Sequence, residues 1–209
     1  MVLTHALSGI LGYLIGSIPT AFLFVRWRSK VDIRIAGSGN VGALNSFQVT
    51  RSRLVGGGVL LLDLVKGVLA VKLATVLLGS EFSVEAISGV AAVAGHNFSV
   101  WLGLKGGRGL ATGAGVMFAI AWPLVLIWGA FWAVAFALTK NVNVGNAVAS
   151  ATELVGVILL PASMLSMLVG GLTSLTEFRV FGVALFIVIL VKHIGPVREY
   201  LGRLKEKHQ

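Results

Sequence analysis

Long apolar runs separated by short polar segments decide what this chain can become. Roughly seven follow one another, at about 6 to 25, 54 to 79, 84 to 101, 109 to 121, 123 to 139, 146 to 170 and 178 to 194. As a helix, a run of this length matches the hydrocarbon thickness, and a helix satisfies its backbone hydrogen bonds internally, which lipid demands. With 56% hydrophobic and 12% charged residues and a mean hydropathy of +0.93, a soluble domain of 209 residues is excluded. The expected fold is an all-α integral membrane protein of seven transmembrane helices, a single polytopic domain over residues 1–209 with a basic tail at 195–209. Leu110 to Leu138 is too long for one span and too short for two full ones. Trp122-Pro123 near its middle predicts a shortened fourth helix and a fifth, with one long kinked helix as the alternative.

Charge placement orients the chain. No basic residue precedes the first run, whereas Arg26, Arg28 and Lys30 follow it, so it is not a cleaved signal peptide and its C-terminal end is expected in the cytoplasm. Segments 26–53, 102–108, 140–145 and 192–209 then share that side and hold 14 of the 17 basic residues, while Glu81, Glu85, Glu177 and Arg179 fall opposite. This segregation favours an odd number of helices, with the N-terminus outside and the C-terminus cytoplasmic. A pI near 10.5 would suggest nucleic acid for a soluble chain; here it records orientation and attraction to the lipid bilayer, and no nucleic-acid partner is expected. The absence of cysteine excludes disulfides and thiolate metal sites, and no metal or cofactor is expected.

Two glycine-rich segments interrupt the apolar sequence, and together they look like one phosphate site. In Gly37-Ser38-Gly39-Asn40 and Lys105-Gly106-Gly107-Arg108-Gly109, glycines let N–H groups close in on an anion, Lys105 and Arg108 supply charge, and the Ser38 hydroxyl adds a donor. Gly37 to Gly42 also satisfies the dinucleotide pattern G-x-G-x-x-G. That match is rejected, because no buried strand precedes it and the nearest acidic candidate, Asp63, lies inside the second span. The plainer alternative is a flexible turn, against which Ser38 and Asn45 argue for a polar cradle. The second segment places two cations directly before a helix, where the Gly106 and Gly107 amides and the helix dipole point the same way. It is not a P-loop, and its plainer alternative is a pair of positive-inside anchors.

Other polar residues are ambiguous on their own. His96 and His193 lie near the cytoplasmic ends of the third and seventh runs, where either could bind phosphate or move a proton, or serve a structural role. Asp63 and Lys66 are spaced i, i+3 and can neutralise each other on one helix face, which favours a structural role. Glu153 has no evident partner. Gly56-Gly57-Gly58, Gly109-x-x-x-Gly113 and Gly170-Gly171 are expected to permit close helix packing.

The ordered series Gly-Ser-Ile-Pro-Thr (16–20), Gly-Ser-Gly-Asn-x-Gly-Ala-x-Asn (37–45), Asp-x-x-Lys-Gly (63–67), Gly-His-x-Phe (95–98), Lys-Gly-Gly-Arg-Gly-x-Ala-Thr (105–112) and Lys-His (192–193) resembles the bacterial acyl-phosphate:glycerol-3-phosphate acyltransferases of the PlsY type. The resemblance spans nearly the whole chain. It implies a multi-pass enzyme of the bacterial inner membrane, in phospholipid biosynthesis, moving a fatty acyl group from acyl phosphate to glycerol 3-phosphate to give lysophosphatidic acid and phosphate. The implied catalytic residues are Lys105, Arg108, Ser38, His193 and His96. The implied binding residues are Gly37, Gly39, Asn40, Asn45, Gly106, Gly107, Gly109, Thr112 and Asn143. The chain departs from the family pattern at Leu44 (threonine), Gln48 (arginine), Ser99 (proline) and Pro196 (asparagine), and it carries Asn141-Val142-Asn143 where a serine-containing loop is usual.

Acyl phosphate is already activated, so catalysis requires mainly that two anionic partners be brought together and the departing phosphate be stabilised. Lys105, Arg108 and the Gly106 and Gly107 amides are expected to hold phosphate, and Ser38, Asn40 and Asn45 to orient the acceptor. The candidates for the hydroxyl proton are His96, His193 and the donor phosphate itself, and the resemblance favours the last. Two other functions remain open: a catalytically impaired paralogue, and a protein that binds or transports an organic phosphate. No inverted repeat of the kind common in transporters is evident between the two halves.

Overall fold

The computed structural model describes residues 1–169 and 174–207. Gly170-Gly171 and the end of the predicted sixth run lie outside the described residues. Among those described there are ten α-helices and two single 3-10 turns, with no strand. The chain divides into two compact units, Met1–Ile120 and Ala121–Gln209.

The first unit holds α1 (Val2–Ser17), α2 (Thr20–Ser29), α3 (Ala43–Thr50), α4 (Arg53–Leu78), α5 (Phe82–Asn97) and the start of α6 (Leu110–Thr139). The first predicted run is therefore two helices, parted at Ile18-Pro19, because a proline inside the helix would remove a hydrogen bond and clash with the preceding turn. Helices α1 and α5 approach at glycines: a Cβ on Gly12 or Gly16 would strike the α5 backbone at Ser88 or Ala92, and one on Gly95 the α1 backbone at Tyr13. Gly67 of α4 and Gly115 of α6 make a second such seam, at Thr112 and Leu64. Of the glycine runs singled out above, Gly56 and Gly58 do face neighbours, Phe47 and Phe24, while Gly57 faces open space. A core of Ala21, Val25, Ile33, Val41, Val55, Val59 and Leu102 underlies the segment between α2 and α3.

The second unit continues α6 and adds α7 (Val142–Leu159), α8 (Ala162–Val169), α9 (Leu175–Val191) and α10 (Ile194–Lys207). Stretch α6 consists of two helices parted by a kink at the non-helical Ala121 (φ −151°, ψ 60°), two residues before Pro123. The predicted sixth run breaks at Leu160-Pro161, and residues 195–207 of the expected basic tail belong to α10.

Four stretches are long and apolar enough to cross a membrane, Val2–Ser29, Arg53–Leu78, Leu110–Thr139 and Val142–Leu159, and the bent pair α9 and α10 makes a fifth if taken as one span. Helices α5 and α9, with 16 and 17 residues, are shorter than these stretches, and the Ala121 break lies inside Leu110–Thr139. Large apolar side chains face outward, among them Val76 at 79% and Leu138 at 81% exposure, as expected where lipid rather than water covers the surface.

Candidate active site

The two glycine-rich segments meet in the first unit. A Cβ on Gly107 would lie 2.6 Å from the Val41 carbonyl and against the His96 ring, so only glycine lets the second segment run flush against the first.

The first segment is organised by Asn45. Its Oδ1 accepts from the Ser38 amide at 2.9 Å, and its Nδ2 donates to the carbonyls of Ile33 (3.4 Å), Ala36 (3.0 Å) and Asn40 (2.9 Å). At 1% exposure it binds the segment together from beneath. Gly37 (φ +60°) leaves room for that carboxamide, which a Cβ there would strike. Gly39 donates its amide to Ala36, Ser38 stands exposed at the tip, and Asn40 is half-buried. Asp32 opens the segment by capping the 3-10 turn Ile33–Ile35 and gripping Arg34 at 2.6 Å, with Arg34 over the Phe22 ring. The Arg34 side-chain hydrogen bond holds the Asp32 carboxyl down at about 2. That contact is therefore complete above the ordinary carboxylate range and lost as pH falls through about 2.

The second segment is fastened by its main chain. Gly106 N–H donates to the Asn97 carbonyl (3.2 Å) and Gly107 N–H to the His96 carbonyl (3.0 Å). Both amides are thus engaged within the protein. Lys105 is exposed and Arg108 half-buried beside them, and Gly109 (φ +80°) turns the chain into α6. Thr112 is fully buried in the first turn of that helix, and its Oγ1 has no hydrogen-bond partner among the described residues.

Beneath the junction lies a charged cluster whose interhelical reach was not evident from sequence. Asp63 Oδ1 accepts from Thr20 Oγ1 (2.5 Å), pairs with Lys66 Nζ (2.9 Å) and lies 3.6 Å from His96 Nδ1. Lys66 Nζ also donates to the Ile18 carbonyl at the α1–α2 break (3.1 Å). All three ionisable side chains are buried. A small cleft between this cluster and the junction is lined by Thr20, Val41, Lys66, His96, Ser99 and Gly106 among others. Ser99, which stands where the family pattern has proline, donates to the Ser17 carbonyl at 2.6 Å beside the cleft. The Gly-Ser-Ile-Pro-Thr and Asp-x-x-Lys-Gly motifs were the available signals for Thr20, Asp63 and Lys66.

Two predicted site residues belong to the second unit. His193 is buried in the turn between α9 and α10, its Nδ1 2.9 Å from the Ile189 carbonyl. Asn143 is half-buried in the first turn of α7, its amide bound by the capping side chain of Asn141 at 2.9 Å. Glu153, without a role in the sequence reading, is buried in α7.

The family model described as glycerol-3-phosphate acyltransferase matches residues 6–203. The chain belongs to this family. A glycerol-3-phosphate acyltransferase of Myxococcus xanthus is 38% identical over 198 residues, covering 95% of this chain and 96% of that one. One from Thermotoga petrophila is 41% identical over 140 residues, covering 67% of this chain and 70% of its own. The crystal structure of PlsY, an integral membrane glycerol 3-phosphate acyltransferase, in its glycerol 3-phosphate form has a TM-score of 0.75 at 26% identity, covering 98% of this chain and 94% of that one. Its lysophosphatidic acid form gives 0.77, covering 95% and 92%. Within the first unit, the two glycine-rich segments meet over the cleft.

Proposed function

We propose that the protein is a membrane acyltransferase of phospholipid synthesis that moves a fatty acyl group from acyl phosphate to glycerol 3-phosphate. The observation that carries this reading is the junction of the two glycine-rich segments, with Lys105, Arg108 and Ser38 at its rim, in a chain matched by the family model over residues 6–203. The acceptor hydroxyl oxygen attacks the acyl carbonyl carbon, the bond from that carbon to the phosphate oxygen breaks, and the products are lysophosphatidic acid and inorganic phosphate. Lys105 and Arg108 neutralise the departing phosphate, a charge-assisted role that glycine amides engaged elsewhere do not supply. The phosphate takes up the hydroxyl proton as it leaves, with His96 and His193 as the protein alternatives. Ser38 and Asn40 face the acceptor, and Asn45 positions them through the loop backbone.

The same reading places seven membrane crossings in a bacterial inner membrane, with the N-terminus outside and the C-terminus and both glycine-rich segments in the cytoplasm. Segregation of 14 of 17 basic residues supports that orientation. The acyltransferase activity is tested by incubating the purified protein with acyl phosphates of several chain lengths and labelled glycerol 3-phosphate. Formation of labelled lysophosphatidic acid is expected, and silence across all chain lengths in a folded sample overturns the assignment.

A further inference from the structure

Helix α10 has a face that acyl transfer does not use. Ile194, Val197, Leu201 and Leu204 recur at i, i+3 and i+4 spacing and form one apolar stripe. Ile194 is 49% exposed, Leu201 51% and Leu204 37%, so the stripe is only partly covered by the unit it belongs to. At about 100° per residue, Arg198 and Lys205 border the stripe on one side, whereas Glu199, Arg203 and Glu206 fall on the far side of the helix. Glu199 and Arg203 form an exposed ion pair. Helix α10 leaves α9, an apolar 17-residue helix, after a two-residue turn and a bend of 51°. The Tyr200 hydroxyl ties it back to the Thr139 carbonyl at 3.5 Å.

A helix that departs sharply from the end of an apolar membrane helix, with exposed apolar side chains, a basic border and acids on the far side, has the chemistry of the bilayer's polar boundary. We propose that α10 lies in the membrane interface, with its apolar stripe sunk to the acyl boundary and Arg198 and Lys205 on anionic phospholipid headgroups. The occupant of this face is thus anionic lipid rather than protein. The inference stands whichever acceptor the enzyme uses.

The chain has no native cysteine, so a single fluorophore reports without background. Full-length protein carrying a label at Leu201→Cys, with Leu204→Cys as a second probe and Glu206→Cys as a control, is reconstituted into vesicles of phosphatidylcholine, with or without added phosphatidylglycerol. A lipid-borne quencher is expected to reach the labels at 201 and 204 and not the one at 206. Quenching should rise with phosphatidylglycerol and fall with salt. Each basic residue removed, Arg198→Gln or Lys205→Gln, should weaken docking about fivefold on anionic vesicles while leaving the melting temperature unchanged. Labels at 201 and 204 open to aqueous quencher in both compositions overturn the proposal. So do labels shielded from both quenchers, which would mean that protein covers the stripe.

Discussion

Asn45 and Asp63 each gather several partners, Asn45 from within its own segment and Asp63 from elements far along the chain. Asp63 holds Thr20 and Lys66 and faces His96, and removing its charge leaves a buried ammonium without its anion. Asp63→Asn should therefore lower stability by about 3–5 kcal/mol, and Lys66→Met added to it should cost less than the sum of the single changes. Thermal unfolding in detergent measures both. Lys105 and Arg108 flank amides already engaged inside the protein, so their side chains carry the rim's charge. Lys105→Met and Arg108→Met should each lower kcat/KM by at least about 2 kcal/mol, roughly thirtyfold, with unchanged melting temperatures. Near-normal turnover in either variant would make that residue a topological anchor. From sequence, the i, i+3 pairing of Asp63 with Lys66 is legible because helix geometry fixes it. Their contacts with Thr20 and Ile18 are not, because they cross 43 and 48 residues and depend on how three helices pack.

At the scale of elements, two proline breaks share a solution. Lys72 donates to the carbonyl of Ala119, the acceptor that Pro123 leaves without its helical donor (3.4 Å). Arg179 of α9 donates to Val157 (3.2 Å) and to Leu160 (2.9 Å), just ahead of Pro161. In lipid a freed carbonyl cannot turn to water, so a cation from a neighbouring helix takes that place. Arg179→Met should destabilise the protein by about 1–3 kcal/mol, the cost of stranding a buried acceptor. Pro161→Ala, by restoring a backbone donor, should make Arg179→Met nearly neutral, and a double-mutant cycle of melting temperatures reads the coupling. Additive effects would show that Arg179 serves something else. The helices themselves follow from apolar length, as the match between the run at 54 to 79 and Arg53–Leu78 illustrates. The breaks at Pro19 and Pro161 do not, because a proline in a long apolar run reads equally as a kink or a stop until its partner is known.

For the whole molecule the prediction concerns sidedness. Because no cysteine is present, single cysteines at Lys140 and Glu81 can be labelled with a membrane-impermeant thiol reagent from either face of the membrane. Lys140→Cys is expected to react only from the cytoplasmic face and Glu81→Cys only from the outer one; reaction of both from one face would refute the seven-crossing arrangement. The family and the meeting of the two glycine-rich segments were legible because motif order survives in sequence. What was not legible is that the Gly106 and Gly107 amides bind their own protein, since a glycine-rich turn advertises donors without showing where they point. The cations at the proline breaks also change how the chain's insertion signal is counted. Lys66, Lys72 and Arg179 are the only basic residues outside the predicted cytoplasmic segments, and all three are committed to backbone carbonyls. Set aside as partners of the main chain, they leave 14 basic residues that all fall in the predicted cytoplasmic segments, so the apparent dissent in the chain's topology signal disappears.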